Sequence, residues 1–357
     1  MLEKEKKMKR ILILTFHKKK NYGAALQAFA LRKKIEQFAD SIILDFDFKD
    51  KFNIKNEIIK IIMLKNNIKK KRNFNKFYKR FFKLTKKVRN KKQIEKECNN
   101  FDGIFCGSDQ VWALDIVREY SDVFFLNFNT NRNFIKNSYA ASIGRENITD
   151  GEKEKLKSLI SNFKNISVRE ESAKEIIKNM GIENVETVID PTFLLSKNEY
   201  EEIFKLTKKD EKYILVYMLE INEKIINVVK EVEKQLKMKI ICFNNRNYFG
   251  ENCECLPCSG PEEFVELFYN ASFVVTNSFH GTCFSIIFEK PFISVPHTFK
   301  NTRQENLLGK ANLLNRIYDD NKEVQSYIDD KINYEEAKEN LAKYIENSIE
   351  FIKKSME

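Results

Sequence analysis

His280 is one of three histidines in the chain, and it lies between an apolar run and the start of an amphipathic one. Residues 273–276 are predicted to form a buried strand, and a helix is expected after Gly281. An imidazole exchanges its proton near neutral pH, and the first turn of a helix offers backbone N–H groups to an anion. We therefore predict that His280 is a general acid or base, with Ser278 and Gly281 beside a bound substrate.

Polar residues also follow two strand-like runs in the first half of the chain, 10–16 and 101–106. Small and polar residues at such strand ends let the backbone approach a ligand. Asp109 is predicted to act as a general base toward a hydroxyl group, and the alternative is that it caps the turn together with its neighbour. The residues expected to line a site in this half are His17, Asn21, Gly23, Ser108, Asp109 and Gln110.

Arg169 follows a third strand-like run at 166–168. The planar fork of an arginine matches carboxylate and phosphate groups, so Arg169 is predicted to bind an anionic substrate. The alternative is a structural salt bridge with Glu170 or Glu171. The remaining histidine, His297, is expected to be structural.

Three of the seven cysteines lie close together in Cys253-Glu254-Cys255-Leu256-Pro257-Cys258. A closed structural zinc site needs four ligands, and Cys242 could supply the fourth only if the chain folds back on itself. A redox pair within this loop is a further alternative. We expect reduced thiols in a loop and no metal.

The runs that position these residues alternate between strand-like and helix-like patterns, which is typical of open parallel sheets in α/β proteins. A chain of 357 residues is long enough for two such domains. We predict two Rossmann-like domains, residues 1–200 and 201–357, that face each other across a cleft, with a helix at the C-terminus.

The formal net charge of +11 arises from a single segment, residues 65–94, which has fourteen Lys or Arg residues and no acid. Its apolar residues fall at helical spacings and predict one helix with one apolar stripe: Phe74, Phe77, Phe81, Leu84 and Val88. We expect this helix to dock on the first domain with a solvated basic face. The alternatives are an interfacial helix at anionic lipid and one wall of a site for a phosphate-bearing substrate. A nucleic-acid partner is not expected, because no nucleic-acid-binding motif accompanies the charge.

The chain has no run of about 20 apolar residues, and its N-terminus lacks the pattern of a signal peptide. We therefore expect a cytoplasmic protein. The oligomeric state does not follow from the sequence.

Together these motifs resemble the polysaccharide pyruvyl transferase family over about residues 10–300. The most specific parts are Gly107-Ser108-Asp109-Gln110-Val111-Trp112, Ser167-Val168-Arg169-Glu170 and Ser278-Phe279-His280-Gly281. The resemblance implies the two-Rossmann scaffold of GT-B type. It also implies transfer of a pyruvyl group from phosphoenolpyruvate to sugar hydroxyls of a cell-surface glycan or its lipid-linked precursor, without a metal or other cofactor. A lipid-linked acceptor would bring the protein to the inner face of the plasma membrane through residues 65–94.

Many members of that family have an arginine two residues before the histidine, where this chain has Ser278. An alternative is therefore a glycosyltransferase of the same fold that uses a nucleotide sugar. In that case the helix start at Gly281 would hold the diphosphate and Glu289 would reach the ribose. A third alternative is a non-catalytic glycan-binding or assembly protein.

Overall fold

The computed structural model describes residues 8–18, 20–47, 57–131, 133–298 and 302–357, with the backbone alone for 57–64. The chain divides into two compact units. Unit 1 contains residues 1–51, 81–194 and 344–357, and unit 2 contains residues 52–80 and 195–343.

The strands are short and mostly buried. They are β1 Arg10–Leu14, β2 Asp40–Ile43, β3 Gly103–Cys106, β4 Ile135–Ser138, β5 Ile166–Val168, β6 Val185–Thr187, β7 Tyr213–Tyr217, β8 Lys239–Cys242, β9 Cys253–Cys255, β10 Phe273–Thr276 and β11 Phe292–Ser294. Three 3₁₀ turns lie at Arg118–Tyr120, Pro191–Leu194 and Leu314–Arg316.

The helices follow most of the strands along the chain. They are α1 Tyr22–Ile35, α2 Glu57–Phe81, α3 Lys91–Cys98, α4 Leu114–Val117, α5 Ser121–Phe124, α6 Asp150–Ile160, α7 Glu171–Asn179, α8 Lys197–Phe204, α9 Glu223–Leu236, α10 Pro261–Asn270, α11 Phe279–Ile287, α12 Thr302–Lys310, α13 Val324–Asp329 and α14 Tyr334–Ser355.

Unit 1 is built on a parallel sheet in the order β2-β1-β3-β4. The parallel pair β5-β6 continues it, because Ser138 N donates to Asn165 O at 3.0 Å and Ala141 N donates to Ser167 O at 3.2 Å. Strands such as Ile11–Leu14 are buried on both faces, as expected for a parallel sheet covered by helices. The loops after β1, β3, β5 and β6 all leave from the same edge, the carboxyl edge of the sheet.

Unit 2 is built on a second parallel sheet, in the order β11-β10-β7-β8-β9. The apolar residues of its central strands pack against α9, whose buried residues are Ile225, Val228, Val229 and Val232. The α/β class and the two parallel-sheet units agree with the prediction.

Two segments belong to a different unit from the predicted one. The basic helix α2 groups with unit 2, where Phe77 is buried and stacks on Phe204 with ring centroids 6.3 Å apart. Residues 344–357 group with unit 1, because Ile189 N donates to Ser348 Oγ at 2.9 Å and Asn137 Nδ2 donates to Ser355 O at 2.7 Å. The chain divides after Leu194, close to the predicted boundary at residue 200.

The prediction of a single helical stripe from Phe74 to Val88 is wrong. Helix α2 ends at Phe81, and the next residues pair beside β2 instead. Ile43 N donates to Lys83 O at 2.8 Å, and Val88 N donates to Asp45 O at 2.9 Å. The outer side of β2 has backbone groups that need partners, and this pairing outweighs continuation of the helix.

Among the described residues, no helix combines the length and the apolar character that crossing a membrane requires.

Candidate functional site

The first turn of α11 places His280 at the carboxyl edge of the unit 2 sheet. The strand β10 ends at Thr276, whose hydroxyl donates to Tyr217 O at 2.7 Å and accepts from Ser278 N at 3.0 Å. Ser278 is the N-cap, and its Oγ accepts from Gly281 N at 3.4 Å. Buried hydrogen bonds thus hold the turn, and His280 is only 8% exposed within it.

Gly281 is required by packing at this turn. A Cβ at position 281 would lie 2.2 Å from Thr276 Oγ1 and 3.0 Å from Thr276 Cβ. Only glycine lets the helix start so close to the end of its strand. The backbone N–H groups of the first turn are therefore held at the edge of the sheet, where a bound anion is stabilised.

Ser278, predicted to lie beside a bound substrate, has a structural role at the start of α11. Its side chain is 1% exposed, caps α11 and hydrogen-bonds to the Tyr217 hydroxyl. Burial raises the pKa of Tyr217 well above its usual value, so this phenol stays neutral. Contact of Ser278 with a substrate stays a prediction.

A carboxylate–histidine pair at the same edge was not predicted from the sequence. Glu220 follows β7 and His297 follows β11, and His297 Nδ1 lies 2.7 Å from Glu220 Oε2. Hydrogen bonds from the Thr298 hydroxyl and from Thr298 N hold the pKa of Glu220 at about 2. Asn277 fixes the loop, because its Oδ1 accepts from Leu219 N at 2.8 Å and its Nδ2 donates to Glu220 O.

A glutamate two residues after the apolar run 213–218 was the one sequence signal for this pair. The pairing itself depends on residues 77 positions apart in the chain. A carboxylate orients an imidazole, so His297 is a second acid–base candidate beside His280.

In unit 1, Arg169 is the centre of a buried ion cluster at the carboxyl edge. Its Nε lies 3.0 Å from Glu170 Oε1, and its Nη1 lies 2.9 Å from Asp190 Oδ2. Asp190 also accepts from the Ser108 hydroxyl at 3.2 Å and from Thr192 N at 3.0 Å. Arg169, Glu170 and Asp190 are all less than 5% exposed.

This cluster joins the loops that follow β3, β5 and β6. Burial lowers the pKa of the Arg169 guanidinium, but the charges of Glu170 and Asp190 outweigh it and hold the pKa above its usual range. The salt-bridge alternative for Arg169 is thus present in the structure, with Glu170 and not Glu171 as the neighbouring partner. A substrate anion would have to share the guanidinium with two carboxylates, and direct anion binding by Arg169 stays a prediction.

Asp109 has a backbone conformation that residues other than glycine seldom adopt. Its φ of 84° lies in the left-handed region, which costs about 1–3 kcal/mol and is often found at functional sites. Its carbonyl accepts from Val111 N at 2.7 Å and from Ser142 N at 3.0 Å, and its Oδ1 accepts from Gln110 N at 2.9 Å. The half-buried carboxylate of Asp109 thus stabilises its own turn and remains at the edge of the sheet.

Three further predicted residues lie after β1. His17 is 2% exposed, with Nδ1 3.0 Å from Thr15 O and Nε2 3.6 Å from Asp45 Oδ1. Burial raises the pKa of Asp45, but hydrogen bonds from His17 and Lys18 outweigh it and leave the pKa below its usual value. Asn21 is the N-cap of α1, its Oδ1 accepting from Ala24 N at 3.1 Å, and Gly23 is buried in the same first turn.

The proposed ribose ligand, Glu289, lies beyond the C-terminal end of α11, about 12 Å along the chain direction from Gly281 at 1.5 Å per residue. Its carboxylate forms ion pairs of 2.6 Å with both Lys197 and Lys338. A ribose would have to compete with these two lysines for the carboxylate, and ribose binding by Glu289 stays a prediction.

A family model described as polysaccharide pyruvyl transferase matches residues 21–298. This range contains Asp109, Arg169, Glu220, His280 and His297, and His17 lies before it. No curated protein matches the chain.

Several solved structures are similar over nearly the whole chain. The UDP-GlcNAc 2-epimerase of Methanocaldococcus jannaschii has a TM-score of 0.54 at 14% identity, covering 91% of this chain and 93% of the epimerase. Anabaena HepE in complex with UDP-glucose has a TM-score of 0.54 at 10% identity, covering 98% of each chain. Staphylococcus aureus MnaA with UDP has a TM-score of 0.51 at 13% identity, covering 92% of this chain and 91% of MnaA. At these identities the likeness shows the fold, which is the GT-B type expected from the sequence.

Proposed function

Because this chain belongs to the polysaccharide pyruvyl transferase family, we propose that it transfers a pyruvyl group from phosphoenolpyruvate to sugar hydroxyls. The acceptor is a cell-surface glycan or its lipid-linked precursor. The observation that carries this proposal is the match over residues 21–298, which includes both His280 and Asp109. The family is one of transferases, which favours an enzyme over a non-catalytic glycan-binding or assembly protein.

His280 is the proposed proton donor. Protonation of the methylene carbon of phosphoenolpyruvate makes the adjacent carbon electrophilic, and a sugar hydroxyl adds to it. A second hydroxyl displaces the phosphate, which leaves with the C–O bond electrons and takes up a proton, and a cyclic ketal results. A histidine suits this step because its proton is exchanged near neutral pH.

The start of α11 is the proposed site for the phosphate of the donor. The turn between Thr276 and Gly281 holds backbone N–H groups at the sheet edge, and the helix dipole favours an anion there. The pair of His297 and Glu220 at the same edge is proposed to donate the proton that accompanies phosphate departure. In unit 1, Asp109 is the proposed base for the acceptor hydroxyl.

A nucleotide sugar is the alternative donor. Two solved structures of the same fold contain UDP-glucose and UDP. The likeness extends to the fold alone, and the predicted ribose ligand Glu289 is ion-paired away from the start of α11. The donor experiment must therefore include nucleotides.

Donor identity is tested by thermal denaturation of the full chain with phosphoenolpyruvate, UDP, UDP-glucose or inorganic phosphate. A true ligand at a hundredfold excess over its Kd stabilises the protein by about 2.7 kcal/mol. We expect stabilisation by phosphoenolpyruvate, and less by phosphate alone. A response to UDP or UDP-glucose without one to phosphoenolpyruvate would replace the proposed donor.

The histidines are tested as His280→Gln and His297→Gln, since glutamine keeps hydrogen bonding but cannot exchange a proton. Loss of a general acid typically costs about 10²–10⁴-fold in rate. We expect this loss in His280→Gln, with phosphoenolpyruvate binding and thermal stability retained. If the larger loss occurs in His297→Gln, the proton donor is His297 and the assignment of His280 is wrong.

The basic face of α2 is proposed to draw the protein to an anionic surface that bears a lipid-linked acceptor. Phe74 and Phe77 are buried, so this helix has no free apolar stripe there to insert into lipid. The attraction rests on exposed lysines and arginines such as Lys69 and Lys76.

A further inference from the structure

Strands β8 and β9 bring three cysteine side chains together at the outer side of the unit 2 sheet. The two strands are parallel, and their register pairs Cys242 with Cys255. Cys242 Sγ lies 3.4 Å from Cys255 Sγ and 3.8 Å from Cys253 Sγ. All three sulfurs lie within 4.8 Å of one another, and all are free thiols. The chain thus folds back in the way that a cysteine-rich metal site requires.

The spacing of these sulfurs matches that of a tetrahedral zinc site. A Zn–S bond of about 2.3 Å and a tetrahedral angle together give a sulfur–sulfur distance of about 3.8 Å. The separations of 3.4 and 3.8 Å from Cys242 Sγ are close to this value. The third sulfur pair lies within 4.8 Å, so small movements of the side chains would place all three around one ion.

A backbone hydrogen bond fixes the relative position of the two strands that carry the cysteines. Leu256 N donates to Cys242 O at 2.7 Å and holds the turn after β9 against β8. This bond keeps Cys242 and Cys255 in the register that brings their sulfurs together.

The fourth cysteine of this region, Cys258, lies against helix α2. Cys258 Sγ lies 3.4 Å from Asn66 Oδ1 and 3.6 Å from Asn66 O, both on α2. Asn73 Nδ2 donates to Cys258 O at 2.8 Å and fixes the same turn to that helix. Cys258 is therefore placed outside the three-sulfur cluster.

We propose that Cys242, Cys253 and Cys255 bind one Zn²⁺ ion through three thiolates, with water or a small exogenous ligand in the fourth position. The half-buried Cys253 and Cys255 give the ion access from solvent. The ion ties the three-residue strand β9 to β8 and stabilises the intervening loop. With its open fourth position the site differs from a closed structural zinc site, and its effect on this loop is independent of the proposed transfer reaction.

The test uses the full chain, prepared without metal under reducing conditions and titrated with Zn²⁺ or Co²⁺. We expect one ion per chain, thiolate-to-cobalt charge-transfer absorption, displacement of cobalt by zinc, and a higher Tm with the metal. A wild-type protein that takes up no cobalt would overturn the proposal.

The variants Cys253→Ser and Cys255→Ser remove half-buried ligands, and each is expected to lose the cobalt absorption and the metal-dependent rise in Tm. Cys258→Ser is the matched control from the same loop and is expected to retain both. Circular dichroism and the metal-free Tm show that each variant is folded, so that lost binding is not lost structure. Retained binding in Cys253→Ser and Cys255→Ser, or lost binding in folded Cys258→Ser, would overturn the three-thiolate assignment.

Discussion

Replacing Arg169 by methionine would leave the carboxylates of Glu170 and Asp190 buried without their cation. Both are within 3.0 Å of the guanidinium, and all three side chains are at most 5% exposed. Removal of one partner from such a buried cluster costs about 3–5 kcal/mol, because an uncompensated charge remains. That is a large part of the roughly 5–15 kcal/mol by which a domain is stable.

Arg145 provides the matched control within the same unit. It also faces two carboxylates, with Nη2 2.6 Å from Glu152 Oε1 and 3.7 Å from Asp115 Oδ1, but its side chain is 33% exposed. Solvent screens such pairs, which typically contribute about 0–1 kcal/mol. Arg145→Met should therefore destabilise unit 1 far less than Arg169→Met.

Urea and thermal unfolding measure the difference, and phosphoenolpyruvate binding is measured on each folded variant. The structure predicts a large loss of stability in Arg169→Met and a smaller one in Arg169→Lys, which keeps the charge but not the two-armed geometry. Suppose that Arg169→Met has unchanged stability and has lost phosphoenolpyruvate binding. Arg169 would then be a substrate ligand, and the structural interpretation of the cluster would be wrong.

Three further predictions follow from the other features. Gly281→Ala should lower the free energy of unfolding by about 1–3 kcal/mol, because the added methyl group would overpack against Thr276, and it should reduce turnover. An unchanged free energy of unfolding in urea would contradict this close contact. The pKa of Glu220 is about 2 in the folded protein against a usual value of 4.5, so this carboxylate is expected to add stability above pH 4.5 that is lost as the pH falls toward 2. Glu220→Gln should lose that part of the acid sensitivity in pH-dependent Tm measurements, and an unchanged pH profile would exclude this contribution of Glu220. The double variant Lys69→Glu/Lys76→Glu should sediment less with anionic vesicles, because each lysine near the surface contributes about 1 kcal/mol to the binding free energy. An equal decrease with neutral vesicles would exclude a contact based on charge.

Local features of the sequence predicted much of the fold and of the candidate site. The buried strands β1 and β10 were evident as short apolar runs. The polar residues after them lie at the carboxyl edges of parallel sheets, as expected. Ser278 and Asn21 are N-caps, and each accepts a hydrogen bond from the backbone N–H three residues further along. The start of a helix therefore depends on a few adjacent residues, which the sequence shows directly.

Features that depend on distant residues were not predictable in the same way. The apolar stripe after Phe81 fitted a helix, yet Leu84 and Val88 pair beside β2 because that strand has backbone groups to satisfy. The position of Glu220 after a strand-like run was visible in the sequence, but its pairing with His297, 77 residues away, was not.

The sequence by itself determined the α/β class, the family and the strand-end position of His280, because these follow from periodicity and short motifs. Only the tertiary structure decided which groups pair. In the folded protein, Arg169 pairs with Asp190, which lies 21 residues further along the chain. The register of β8 and β9 places Cys242 beside Cys255. Strand register and buried charge pairing arise from the packing of many residues at once, and no local pattern in the chain encodes them.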